Sequence, residues 1–571
     1  MKNLSGDLDV ITVELVKNSL HVGALDMQAT LERTAHSQSL REVGDASSSI
    51  FDLHGRLVAQ ALALPLQLAG SSVAIKEVFK VFPKDKMRPG DVFILNDPFH
   101  GGSHAPDLVL TMPYFLGGML SGFGCCYAHH QDVGGMSPGS IPPLSTEIYQ
   151  EGILIPPLRL MENRVFNETL ISMLLANTRL GETLMADIRA QLAALEVGQV
   201  NLEETVKRFG RETVIAAMDS LLVRSKMAFL KEIEKIPDGV YEFEDYLDDD
   251  GFTLGVPIPI RVAIRIEGEK LTVDFTGTAP QIRGSLNCPL ASSLSAVYAS
   301  LKVIIDPRDL IPNNEGVYSA FEITIPRGSV LNPTPPSSVS SRPETQMRVS
   351  NVIMGAFSKA LPESVMAQDC GSVAVAIFSG SQPGSGKTFV KVEPIAGGWG
   401  GRCESDGPSA LDVIISNLSN TPVEAMEMDF PLRVDRFELV PDSGGAGRYR
   451  GGLGVRREVR ALVPIDLAVR AERQTLVPQG FFGGLNGSPG RWILTRANDK
   501  VEILNCRQAG IKMQPDDVLT TITPGGGGYG LPAERDPALI AQDLLNGEIS
   551  MGKAKKDYGT AVDKALKYME R

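Results

Sequence analysis

From Asn167 to Ile236 the sequence repeats at helical spacing, and from Pro237 onward the repeat shortens to two. LISMLLANTR, LMADIRAQLAALEVG and TVIAAMDSLLVRSKMAFLKEIEKI are rich in Ala, Leu and Glu and poor in helix breakers. Pro237-Asp238-Gly239 closes that block. GVYEFEDYLDDDG, PIPIRVAIRIEGEKLTVDFTGTA and EITIPRGSVLNP then read as strand and turn. Elements grouped in runs predict an α+β fold of large, mixed character. Upstream, residues 8–35 predict an amphipathic helix with Leu8, Ile11, Leu15, Val22 and Leu25 on its apolar side. SSSIFDLHGRLVAQ predicts a hairpin turning at His54-Gly55, and LAGSSVAIKEVFKVF a second helix. Residues 536–566 predict two short helices packed on the outside. At 571 residues the chain exceeds the roughly 250–300 that one core usually holds. Four regions are expected: 1–236 (an α-rich α/β region carrying a histidine/aspartate loop site), 237–349 (β-rich), 350–530 (mixed, ending in a Gly-rich loop) and 531–571 (a helical tail).

Asp and Glu number 68 against 55 Lys and Arg, a net charge of −13. A surface of that sign repels a phosphate backbone, so nucleic acid is not an expected partner. No stretch of about 20 apolar residues is free of charges or turn formers, so no membrane span is expected. MKNLSGDLDV lacks the apolar core of a signal peptide, and six cysteines make no disulfide framework. The expected location is the cytoplasm.

Histidine is scarce, and its placement is informative. Four of the seven, His100, His104, His129 and His130, fall within residues 100–130. Asp97, Asp107 and Asp132 lie in the same two patches, ILNDPFHGGSHAPD and CCYAHHQDVGG. Imidazole and carboxylate are the usual ligands of zinc, manganese or iron, and open sites often need only three. His104 and Asp107 are three apart on a Gly- and Pro-rich turn. Leu108–Met112 and Gly124–Tyr127 read as neighbouring strands, which brings His129 back beside that turn. The alternative is a set of loop histidines bonded to backbone.

Some segments imitate known sites. GSQPGSGKT at 380–388 has the wrong glycine spacing for a phosphate loop and is followed by a strand, so it reads as a hairpin turn. YLDDDG at 246–251 puts Tyr246 and Pro257 where calcium ligands belong, and reads as an exposed acidic turn. PGGGGYG reads as a tight turn, or as backbone that approaches a ligand or subunit closely. Cys125 and Cys126 face opposite ways on a strand and read as buried small hydrophobes.

GRLVAQ at 55–60, ILNDPFHGGSHAPD at 94–107, AHHQDVGGMSPGSIPP at 128–143, TEIYQEG at 146–152, VDFTGTAPQIRGSLNCPL at 273–290, NTPVEAMEMDFPLRVDRFELVPDSGGAGRYRGG at 420–452 and TPGGGGYG at 523–530 resemble the hydantoinase B/oxoprolinase family. The segments keep family order across nearly the whole chain. The resemblance implies a subunit of an ATP-dependent enzyme acting with a hydantoinase A-type partner, an actin-like ATPase that handles ATP and Mg. It implies one divalent metal, zinc or manganese, on His104, Asp107 and His129, which match the family's His-x-x-Asp pair and later His. It also implies a dimer of heterodimers.

The leading expectation is a cyclic-amide hydrolase that opens a hydantoin, oxoproline-like or lactam ring. The alternative is an acetone- or acetophenone-type ketone carboxylase, and a third possibility is a non-catalytic scaffold. Asp97, His100, His130 and Asp132 are the candidate catalytic residues, as proton acceptors or as braces for the ligand imidazoles. Three stretches depart from the family's text: SSRPETQMR at 340–348, LDVIISNLSNTPVE at 411–424 and GSVAVAIFSG at 371–380. The extra apolar residues there suit a hydrophobic lactam or ketone, or a simple change in core packing.

Overall fold

A computed structural model describes residues 8–61 and 64–569. Met1–Asp7, part of the stretch read as lacking a signal peptide, lie outside the described residues. The N-terminal helix α1 runs from Val10 to Thr34, with Asp9 accepting from the backbone N–H groups of Ile11 and Thr12. A seven-stranded antiparallel sheet follows, formed by β1 (Ala46–Phe51), β2 (Leu57–Gln60), β3 (Val92–Leu95), β4 (Asp107–Leu116), β5 (Met119–His129), β6 (Leu158–Glu162) and β7 (Val165–Phe166). Its order is β2-β1-β5-β4-β3-β6-β7. The predicted hairpin at His54-Gly55 is the β1–β2 pair. The predicted strands around Leu110 and Cys125 are β4 and β5, paired from Asp107↔His129 to Leu116↔Met119.

Both faces of this sheet are covered, and side chains alternate between them. Cys126, Ala128, Leu108 and Leu110 face α1 and the helices Gly181–Phe209 and Arg211–Ile233. Phe123, Cys125, Tyr127 and Val109 face a second core. That core also holds the helix Leu68–Val81, two further helices, and a four-stranded sheet built from residues 239–274 and 322–324. A second four-stranded sheet (388–395, 374–381, 465–470, 507–513) packs on a five-stranded one (432–439, 455–461, 518–522, 491–495, 501–504). Among the described residues no helix is long and apolar enough to cross a membrane.

Several expectations change. Ile11 and Val22 are 67% and 50% exposed, and Leu15 and Leu25 are also exposed. Instead Val13, Val16, Leu20, Ala24, Met27 and Leu31 are buried. Helix α1 carries two apolar stripes, and Gly23 and Ala24 let the second lie closer to the sheet. Residues 237–349 contain the helix Leu290–Ile305, the short helix Glu315–Tyr318 and the start of the helix Arg342–Phe357 amid the expected strands. Every residue of Arg342–Phe357 is buried, so it lacks the one-sided pattern that reveals a helix in sequence. The C-terminal text forms three short helices, Pro537–Leu545, Met551–Tyr558 and Ala561–Met569, rather than two.

The acidic turn is buried, not exposed. Asp248 accepts from the backbone N–H groups of Gln474, Thr475 and Leu476, and Asp249 pairs with Arg507 at 2.5 Å. GSQPGSGKT is the link between two paired strands, Ala374–Ser381 and Thr388–Ile395.

Gly525–Gly528 is not a turn. The run threads extended between other glycine-rich segments: Gly526 donates to the Gly452 carbonyl (2.9 Å), Gly452 to Trp399 (2.7 Å) and Gly527 to Gln368 (2.8 Å). A Cβ on Gly526 would overlap the Trp399 carbonyl. Gly526→Ala should therefore lower the melting temperature by several degrees or abolish soluble expression, whereas Gly552→Ala, in the helix Met551–Tyr558 with open space around it, should have far less effect. Thermal denaturation of the two variants checks this.

Candidate metal centre

Asp107 opens β4 and His129 closes β5, and the two are direct cross-strand partners. The turn Gly101–Pro106 delivers His104 to the same point. His129 Nδ1 lies 2.8 Å from Asp107 Oδ1 and 3.2 Å from His104 Nε2, and His104 Nε2 lies 3.2 Å from Asp107 Oδ1. All three side chains are buried. Donor–metal bonds of about 2.0–2.2 Å put neighbouring donors about 3 Å apart, so this nitrogen and oxygen set fits a single cation of the zinc or manganese type.

The groups behind the donors hold them in place. His104 Nδ1 donates to the Ser340 carbonyl at 3.2 Å, which leaves the Nε2 lone pair facing the cluster. Asp107 Oδ2 accepts from Arg342 Nη2 at 2.8 Å and from the Ser103 hydroxyl, which leaves Oδ1 for the cluster. Ser340 is anchored by Glu151, whose Oε1 accepts from the backbone N–H groups of Val339 (2.7 Å) and Ser340 (2.9 Å).

Burial drives the His104 pKa down to about 4, against the pull of Asp107, so this imidazole is neutral at pH 7. Burial would raise Asp107, but His104, His129 and Arg342 outweigh it and hold the carboxyl well below its usual range. Burial would lower His129, but Asp45 and Asp107 outweigh it and raise the pKa. Asp45 itself is pushed up to about 6 by burial.

A cavity of about 50 Å³ opens beside the cluster. Its walls are mainly apolar, including Val43, Leu64, Ile141, Val373 and Val375, and its charged groups are Asp45, Arg342 and Arg470. That volume holds a few waters or one small polar group.

The other candidates from the sequence lie outside the three-donor cluster. His100 is half exposed and pairs with Asp97 (2.9 Å) within its own turn. His130 follows His129 on the chain, so it points to the opposite face of the sheet, where Nε2 bonds Gln191 at 3.0 Å. Asp132 accepts from the backbone N–H groups of Gly134, Gly139 and Arg179 and from the Arg179 guanidinium, and so ties a loop together.

Comparison with known proteins bears on the reading. One family profile, hydantoinase B/oxoprolinase, matches residues 9–532. The chain belongs to that family. It is 30% identical to caprolactamase subunit beta of Pseudomonas jessenii, over 97% of each chain. The crystal structure of ATP-dependent caprolactamase from the same organism superposes with a TM-score of 0.92 at 29% identity, covering 98% of this chain and 97% of that one. 5-Oxoprolinase 1 of Arabidopsis thaliana is 30% identical, covering 91% of this chain and 42% of that one. An acetone carboxylase structure has the same fold, with a TM-score of 0.88 at 19% identity over 98% of this chain and 83% of that one.

Within this hydantoinase B-type fold, sequence reasoning missed Asp45, Ser103, Arg342 and Arg470. Arg342 lies inside a stretch already noted as unusual, yet the charge of a buried helix start carries no periodic signal.

The Glu151 brace gives a pH test. Burial pushes its carboxyl up to about 7, although Ser338, the Val339 and Ser340 N–H groups and Ser145 pull the other way. A raised carboxyl favours folding below the unfolded value of about 4.3, and that contribution is lost as pH rises through about 7. Oε2 has no partner and can carry the proton or an amide. Glu151→Gln should therefore flatten the fall in melting temperature between pH 5 and 8 and equal or exceed wild type at pH 8; thermal melts across that range read it.

Proposed function

We propose that this chain is the metal-binding subunit of an ATP-dependent cyclic-amide hydrolase, acting with a hydantoinase A-type ATPase partner in the cytoplasm. The observation that carries the reading is the His104–Asp107–His129 donor set, held on a chain that matches caprolactamase subunit beta from end to end. The ring to be opened is a lactam, hydantoin or oxoproline-like amide. The assembly is a dimer of heterodimers.

A ring amide is a poor electrophile with a poor leaving group. Transfer of the ATP γ-phosphoryl group to the amide oxygen on the partner makes an imidate phosphate. Water adds to its carbon, the ring C–N bond breaks with a proton going to nitrogen, and an acyl phosphate remains. A second water releases phosphate and leaves the open amino acid. A divalent ion on the three donors supplies Lewis acidity to these additions.

The chain's own groups do the rest. Asp107 stays ionised because Arg342 and Ser103 satisfy its second oxygen. His104 is oriented by the Ser340 carbonyl. Asp45 lines the cavity with Oδ2 3.8 Å from His129 Nδ1, which places its carboxylate to take a proton from water entering that space. The apolar walls keep bulk water from competing for the activated ring.

The assay is purified complex with ATP, candidate lactams and hydantoins, with and without bicarbonate. Ring opening without bicarbonate is expected. Strict bicarbonate dependence with its carbon in the product would instead make the enzyme a carboxylase. His104→Ala and Asp107→Ala should each lose bound metal, measured per chain by elemental analysis, and lower turnover at least a hundredfold. Unchanged turnover in a metal-free variant would leave only a scaffold role.

A further inference from the structure

Arg470 lines the wall of the cavity beside the donor cluster, and its position is unusual for a buried cation. It sits on the strand Ile465–Arg470 and is 6% exposed. The other buried arginines of this region have carboxylates. Arg342 holds Asp107, Arg348 and Arg473 share Asp245, and Arg507 holds Glu472 and Asp249. Arg470 has no carboxylate within 4 Å among the described residues. Its Nη1 donates to the Ser340 carbonyl at 3.0 Å and its Nε has no partner. A guanidinium cannot shed its proton, so an unpaired one in the interior is costly and persists where a counter-charge arrives from outside.

The surroundings set what that counter-charge is. Ser340 O accepts from both Arg470 and His104 Nδ1, so the guanidinium lies one carbonyl away from a ligand imidazole. The helix Arg342–Phe357 starts at the same cavity, through Arg342 and Pro343, with its positive end toward the space. With a divalent ion bound, Arg342 and Arg470 leave the cavity with two positive charges in excess of Asp45 and Asp107. Glu344, the acid that acts on Arg470 most strongly, makes no direct pair with it and does not line the cavity, and burial pushes its carboxyl up to about 7.

We infer that Arg470 is the anchor of an oxyanion subsite beside the proposed metal, one that takes the phosphoryl or carboxylate-like oxygens of the activated substrate. The inference rests on the metal-dependent reading above. It adds a residue that recognises what the partner has made, so the cavity prefers the phosphorylated ring to the free one.

The test uses the full chain, metal-loaded with excess ion removed, and inorganic phosphate or formate as the probe. Anion affinity is read from the rise in melting temperature with anion concentration. Wild type should be protected, Arg470→Met should bind at least tenfold more weakly, and Arg470→Lys should fall between them. Protection by phosphate identifies a phosphoryl group as the natural occupant, and protection by formate alone a carboxylate. Without anion, Arg470→Met should melt at or above wild type, because an unpaired buried charge has gone, and its metal content should be unchanged. Equal protection of wild type and Arg470→Met, or a large loss of stability in Arg470→Met without anion, would overturn the subsite. If no metal is found but Arg470 still governs phosphate affinity, the hydrolase reading fails and the subsite stands.

Discussion

Asp107 divides its carboxylate between two tasks, and the surrounding architecture follows from that division. Oδ1 faces the two imidazoles, while Oδ2 is taken by Arg342 and Ser103. A buried carboxylate without a partner costs several kcal/mol in lost hydration. Arg342 removes most of that cost, but it comes from a residue 235 positions further along the chain. The pair therefore locks the end of β4 to the start of the helix Arg342–Phe357. Glu151 reinforces the lock by gripping the backbone just before that helix, so the cluster is stable only when the N-terminal sheet and the central helix are both in place.

The same logic recurs deeper in the molecule. Asp245 lies between Arg348 and Arg473, and Arg507 lies between Glu472 and Asp249. These pairs join the strand Gly239–Leu247 and the acidic turn after it to the sheet containing Ile465–Arg470. Ion pairs of this kind add little net stability over apolar packing, but breaking one strands a charge, so they fix which segments may meet. Arg470 stands out against these pairs because no carboxylate among the described residues lies within 4 Å of it, and Glu344, the acid that acts on it most, makes no direct pair either.

Two kinds of element were legible in sequence. The helices from 168 to 233 have one wet face and one dry face, and their spacing shows it. The β1–β2 hairpin and the β4–β5 pair are buried on both faces, and were read instead from short apolar runs bounded by turn residues. The helix Arg342–Phe357 is dry all round, and α1 carries apolar residues on two sides, so neither pattern revealed which surface is buried. The three donors were legible because histidine is rare and ligand chemistry is narrow. Their supports were not. Asp45, Arg342 and Arg470 come from three distant segments, and only the folded chain brings them to one cavity. His130 shows the limit of counting histidines: one residue beyond His129, it serves the other face of the sheet.

The three stretches read in the sequence as departing from the family's text converge on the cavity. Arg342, Pro343 and Met347 come from SSRPETQMR, Val373 and Val375 from GSVAVAIFSG, and Leu418 from LDVIISNLSNTPVE. All three segments also contribute to the large core, so packing alone would explain some apolar residues there. It does not explain why all three reach the same small space. An apolar wall offers no hydrogen bond to a second carbonyl, a ring N–H or a free carboxylate on the substrate, and burying such a group unpaired costs roughly 1–3 kcal/mol. It also strengthens the charges of Arg342 and Arg470 by excluding water. A space of about 50 Å³ walled in this way takes one small charged group beside the donors and excludes a second, uncharged polar one.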